Sequence, residues 1–119
     1  MTMLEKANVD ALYLGSSSFL QRHGEVFTAA AVARGLPVLS PYEGLVRHAS
    51  ALLSVAPRYY DVGRLAGRQA ERILVEGLVP GSLPVARVSD FAIVINMTVA
   101  RRLGRFPPMA LLQVAETVE

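Results

Sequence analysis

The sequence predicts an α/β domain, a three-layer arrangement in which a mostly parallel sheet carries helices on both faces. Short apolar runs at 10–15, 36–40 and 51–55 suit buried strands. Between them lie stretches whose apolar residues recur at three- and four-residue spacing, the mark of helices packed by one side. Strands that alternate with helices pair in parallel, because each connection has to cross over the sheet.

Taken in order, Asp10 to Gly15 is the first strand, ended by its glycine. Ser16, Ser17 and Ser18 offer N-cap hydroxyls to a single helix expected from about Phe19 to Arg34. Leu20, Val26, Phe27, Ala30 and Val32 are its apolar positions, and Gly35 stands where a left-handed C-cap closes a helix. Leu36 to Ser40 is the next strand, where Pro37 near its start costs little. Pro41 to Arg47 reads as a short helix or turn, and Ala51 to Val55 as a third strand. A long helix begins at Pro57, with Val62, Leu65, Ala66, Gln69, Ala70, Ile73 and Leu74 along it, and Gly77 stops it. Val79 to Pro84 is loop. Val85 to Val88 and Phe91 to Ile95 are extended, and Asn96 or Thr98 caps a helix from Val99 to Leu103 that closes at Gly104. Pro107 and Pro108 suit the first turn of a last helix, expected to run through Val118.

Composition narrows the function. A chain of 119 residues makes one domain at most, since domains commonly run to ~100–150 residues. A hydrophobic content of 52% against 18% charged residues excludes a disordered tail. The net charge of +2 is small and the basic residues form no face, so no nucleic-acid partner is expected. Lys6 is the only lysine, and Met1, Met3, Met97 and Met109 read as filler or start. No apolar run approaches the ~18 residues of a membrane-spanning helix. The start, Met1 to Asp10, lacks an apolar core behind a basic head and is no signal peptide; an exported protein would have its true N-terminus outside this chain.

Bond-breaking chemistry finds no footing. The absence of cysteine removes disulfides, thiolate metal sites and thiol nucleophiles. His23 and His48 have no ligand-spaced partner, so no metal is expected, and no glycine-rich phosphate or dinucleotide motif implies a cofactor. Phe19 stands where a nucleophile elbow built on Ser17 needs glycine. Asp61 and Glu71 are expected to pair with Arg64, Arg68 and Arg72 on a solvated face, while Arg101, Arg102 and Arg105 complement a helix C-terminus. The chain reads as a binding module rather than an enzyme.

Four segments, in order, carry a resemblance to a family. Val9-Asp10-Ala11-Leu12-Tyr13 resembles its "ADALYV" strand, and Arg34-Gly35-Leu36-Pro37-Val38 the strand that follows. Ser54 to Leu74, with Tyr59-Tyr60, Gly63-Arg64 and Ile73-Leu74, resembles its long-helix stretch. Phe91 to Asn96, with Ala100, Leu103-Gly104 and Pro107-Pro108, resembles its ending. The family is that of the ABC-transporter substrate-binding proteins with the type I periplasmic-binding fold, in the branch that includes tryptophan- and other aromatic-amino-acid-binding members. The resemblance spans nearly the whole chain and matches the family's C-terminal half.

It implies a periplasmic or extracytoplasmic receptor whose lobes close on a small ligand and present it to a membrane permease. Residues 1–119 would then be one α/β domain, most of one lobe, with the helix over 57–77 packing in the opposite lobe. Isolated from that lobe, its stripe of Val62, Leu65, Ala66, Ile73 and Leu74 is expected to drive homodimerisation. An effector-binding domain of a transcription regulator, which shares the fold, is the alternative. Ligands of open α/β sheets bind beyond the carboxyl ends of the strands. Ser16, Ser17 and Ser18 lie in one such turn, and Ser40, Tyr42 and Glu43 in the next. Hydroxyls and backbone N–H groups suit a carboxylate, a tyrosine ring stacks on an apolar group, and Glu43 would pair with an ammonium or simply favour its helix start. That set suits a zwitterion such as an amino acid. Of Tyr59 and Tyr60, one is expected to pack and the other to face the cleft; Tyr59 completes the candidate list.

Overall fold

A computed structural model describes residues 8–119, so the readings of Met1, Met3 and Lys6 lie outside the described residues. The chain divides into two compact units. One comprises the residues up to Ala56 together with Ala92–Glu119, the other Pro57–Phe91.

The first unit is a five-stranded sheet in sequential order: β1 (Leu12–Tyr13), β2 (Val38–Ser40), β3 (Leu53–Ala56), β4 (Ala92–Asn96) and β5 (Glu116–Val118). β1, β2 and β3 run parallel, β4 is antiparallel to β3, and β5 is parallel to β4. The expected α/β class with a mostly parallel sheet is what the chain forms. Its helices are α1 (Ser18–Arg22), α2 (Gly24–Val32), α3 (Glu43–His48), α5 (Met97–Leu103) and α6 (Met109–Leu112), α4 (Tyr59–Leu74) belonging to the second unit.

Register sorts the side chains. Ser40, Ser54 and Val94 lie abreast, as do Leu12 and Val38, and alternation puts all five on one face. That face meets α2 and α3 in a core of Leu14, Ala31, Val38, Leu45, Val46, Ala51 and Val94. Tyr13, Leu39, Leu53 and Ile95 form a row across the opposite face. Leu111 of α6 joins Leu53 and Ile95 there in lining an apolar groove of about 170 Å³. This face is covered unevenly: Ile95 is 1% exposed, Tyr13 70% and Val55 51%.

Gly35, Gly77 and Gly104 follow three helices at φ of 74°, 72° and 62°, as a left-handed stop requires. Two expected elements differ. The helix from Phe19 to Arg34 is two helices, because the backbone leaves helical angles at His23 (φ −105°, ψ 12°). Gly24 then starts α2 buried against Leu45, where an added Cβ would lie 2.5 Å from a Leu45 methyl. The last helix stops at Leu112, and Glu116–Val118 form β5 instead. The free edge of β4 offers those residues a ladder of backbone partners, and β-branched Thr117 and Val118 suit it.

Asn96 closes the unit. It is 6% exposed and caps α5, its Oδ1 accepting from the Val99 N–H at 2.9 Å. Its Nδ2 donates to the Val46 carbonyl, also at 2.9 Å, in the last turn of α3 where carbonyls lack helical partners. Asn96→Ala strips both and leaves the Val46 carbonyl and Val99 N–H buried. Denaturant unfolding of that variant is expected to show a loss of about 2–4 kcal/mol, with the slope unchanged.

Candidate functional site

Three parallel strands end at one end of the sheet, and the two loops singled out in the sequence leave from it. Gly15 to Ser17 follows β1, and Pro41-Tyr42 follows β2. The parallel pairing, which the alternation of elements predicted, brings Ser16, Ser17, Ser18, Ser40, Tyr42 and Glu43 to this shared end.

The residues there do different jobs. Ser17 is the N-cap of α1 in extended conformation (φ −144°, ψ 127°), its Oγ accepting from the Leu20 N–H at 3.4 Å. Ser16 and Ser18 flank it with exposed side chains. Ser40 is 2% exposed, and its Oγ accepts from the Tyr42 N–H at 2.9 Å. That hydroxyl holds the turn and so fixes where Tyr42, which is half-buried against the core, begins α3. Ser40 positions the loop rather than facing solvent.

Glu43 is the first residue of α3, where the helix dipole favours a carboxylate. Its Oε2 accepts from Arg47 at 3.2 Å, one turn on, and Arg47 reaches Glu116 of β5 at 2.9 Å. Glu116 first, with Glu43 adding to it, holds the Arg47 guanidinium above its usual range. The network therefore ties α3 to the edge strand, a use of Glu43 that needed β5 to be known. Tyr59 lies in the other compact unit, on the first turn of α4, and is 68% exposed. Tyr60 beside it is 75% exposed with the Arg64 guanidinium over its ring, 6.0 Å from the centroid.

Sequence reading missed Ser54. It lies abreast of Ser40 one strand over, 1% exposed, and its Oγ has no hydrogen-bond partner among the described residues. A serine inside a strand gives no sequence signal of this kind; the parallel register makes it visible. His23 is exposed with its ring against Phe19, centroids 4.6 Å apart, and no group of three metal-ligating side chains occurs among the described residues. No helix among the described residues is long and apolar enough to cross a membrane.

The family model of the ABC transporter substrate binding proteins matches residues 2–119, and the chain belongs to that family. Its fold is that of an L-Trp complex described as an ABC domain from Streptococcus pneumoniae, with a TM-score of 0.81 and 23% identity over 98% of this chain. A conserved domain protein from Vibrio cholerae aligns over 99% of the chain with a TM-score of 0.82 and 29% identity. A ligand-free, open substrate-binding protein with adhesive properties from Clostridium difficile aligns over 93% with a TM-score of 0.70 and 22% identity. The chain spans 39% of the length of the first two and 36% of the third. No curated protein matches.

The two buried serines separate a working hydroxyl from an idle one. Ser40→Ala is expected to cost about 1 kcal/mol, the worth of one internal hydrogen bond. Ser54→Ala removes an unsatisfied buried hydroxyl and is expected to leave the unfolding midpoint unchanged or raise it. Parallel urea titrations of the two variants read the difference, and a large loss in the Ser54 variant would mean that its hydroxyl has a bound partner.

Proposed function

We propose that this chain is part of a solute-binding component of an ABC transporter and contributes one lobe of a two-lobed receptor. The ligand is an amino acid or a similar zwitterion, gripped at the carboxyl ends of β1 and β2 and delivered to a membrane permease on the extracytoplasmic side. The observation that carries this reading is the shared sheet end. Exposed Ser16 and Ser18 and the half-buried Tyr42 ring stand on adjacent loops there, within a chain of the substrate-binding family. The hydroxyls suit the ligand carboxylate, and the tyrosine ring suits its apolar side. The L-Trp bound by the Streptococcus pneumoniae neighbour supports the same ligand class.

The division of the chain supports the lobe assignment. Pro57–Phe91 is a unit of its own, and α4 buries none of its residues. Of its apolar stripe, Leu65 and Ile73 are half-buried, while Val62, Ala66 and Leu74 are exposed. In the full-length receptor this stripe packs in the opposite lobe, within the larger part of the neighbours' length that this chain does not span. In the isolated chain it is available to a second copy.

Isothermal titration of the full-length protein against a panel of amino acids tests the ligand class. A Ser16→Ala/Ser18→Ala double variant is expected to bind about 10- to 100-fold more weakly, the effect of losing hydrogen bonds to a charged group. Absence of heat with every zwitterion would overturn the ligand assignment. Light scattering of residues 1–119 at micromolar concentration is expected to return a dimer mass, and Leu74→Glu to shift it to the monomer. A monomer mass for the unaltered chain would remove the homodimer.

A further inference from the structure

The proposed solute has three chemical parts, and the exposed serines and the Tyr42 ring address two of them. Its ammonium needs an anionic acceptor. Among the loops that leave β1 and β2 and the first turns of the helices they enter, Glu43 is the one carboxylate. The first turn of α1 has no acidic residue, and that of α3 has Glu43. Neighbouring strands lie about 4.8 Å apart, so the serine turn and Tyr42-Glu43 leave the sheet within the span of one small zwitterion.

A carboxylate fully engaged by a guanidinium would accept an ammonium poorly, and Glu43 does meet Arg47. The contact is partial. Arg47 Nη2 donates to one oxygen of Glu43, Oε2, at 3.2 Å, while its Nη1 lies 2.9 Å from Glu116 Oε1. Glu116 also does more than Glu43 to hold the guanidinium above its usual range. Glu43 Oε1 accepts no hydrogen bond among the described residues, and the side chain is 37% exposed. Glu116 stands on β5 abreast of Val94, so strand pairing, not α3, sets its place. The guanidinium is thereby drawn from outside the helix that carries Glu43.

We propose, on the ligand reading above, that Glu43 accepts the ammonium of the solute through Oε1, and that Glu116 is a positioning residue that holds Arg47 back from closing on both Glu43 oxygens. Arginine and carboxylate pair readily in bidentate fashion when nothing competes. Without the Glu116 charge, Arg47 turns wholly to Glu43 and neutralises it before the solute arrives. Glu116 thus acts on binding without touching the solute.

The test is isothermal titration of the full-length protein with L-tryptophan and L-leucine, each beside its counterpart without the ammonium, indole-3-propionate and 4-methylpentanoate. The affinity ratio within each pair isolates the ammonium contact, because a merely structural change weakens both members alike. Glu43→Gln is expected to lower that ratio about tenfold or more, the effect of losing a hydrogen bond between charged groups. Glu116→Gln is expected to lower it about threefold, as for an exposed ion pair. Circular dichroism verifies the fold of both variants. A ratio unchanged by Glu43→Gln would overturn the ammonium contact, and one unchanged by Glu116→Gln the positioning role. Either result leaves the ligand class standing, whereas no heat with either amino acid would overturn that reading and this proposal together.

Discussion

The first unit depends on one buried amide. Asn96 ends β4, starts α5 and holds the last turn of α3, using acceptor and donor at once. Each bond meets a backbone group that a helix end leaves without a partner. Had the side chain been apolar, the crossing of α3 over β4 would bury a bare carbonyl. Thr28 of α2 adds a second tie, to the loop just after α3. It is fully buried, and its Oγ1 accepts from the Ser50 N–H at 3.1 Å while donating to the Glu25 carbonyl at 3.2 Å. Two short polar side chains thus seat α2 and α3 on the sheet, and the apolar core fills the space between.

That seating supports the candidate site. Parallel β1 and β2 send the loops entering α1 and α3 out at the same end of the sheet, and the packing of α2 and α3 on one face steadies them there. Gly24 permits the close approach, since it gives Leu45 the space a Cβ would take. Ser40 then sets the turn into α3, and Arg47 bridges that helix to β5. The loops proposed to face the solute are therefore held from behind by hydrogen bonds and ion pairs, an arrangement that fixes them in advance of binding.

Much of this was legible in the sequence. Helix stops at Gly35, Gly77 and Gly104 follow from a local rule, the need for positive φ after a last helical turn. Parallel pairing of the first three strands follows from their alternation with helices, and it also placed the serine turn and Tyr42 at a shared end. The arginines of α4 were read by spacing alone. One-turn spacing predicts pairing with Asp61 and Glu71, whereas the chain returning over 84–90 adds Arg87 and Asp90 to a cavity that Asp61, Arg64 and Arg68 also line.

By itself the sequence determined the α/β class, most of the elements and the chemistry of the exposed loops, because period, capping and turn residues act over a few positions. Only the tertiary structure decided that the first helix breaks at His23, that the chain ends in a strand, and that Glu43 serves Arg47. Those outcomes rest on contacts between residues far apart in the chain: Gly24 with Leu45, Glu116 with Val94 and Arg47. No local pattern encodes such a contact, since its free energy arises only when the sheet has already brought the partners together.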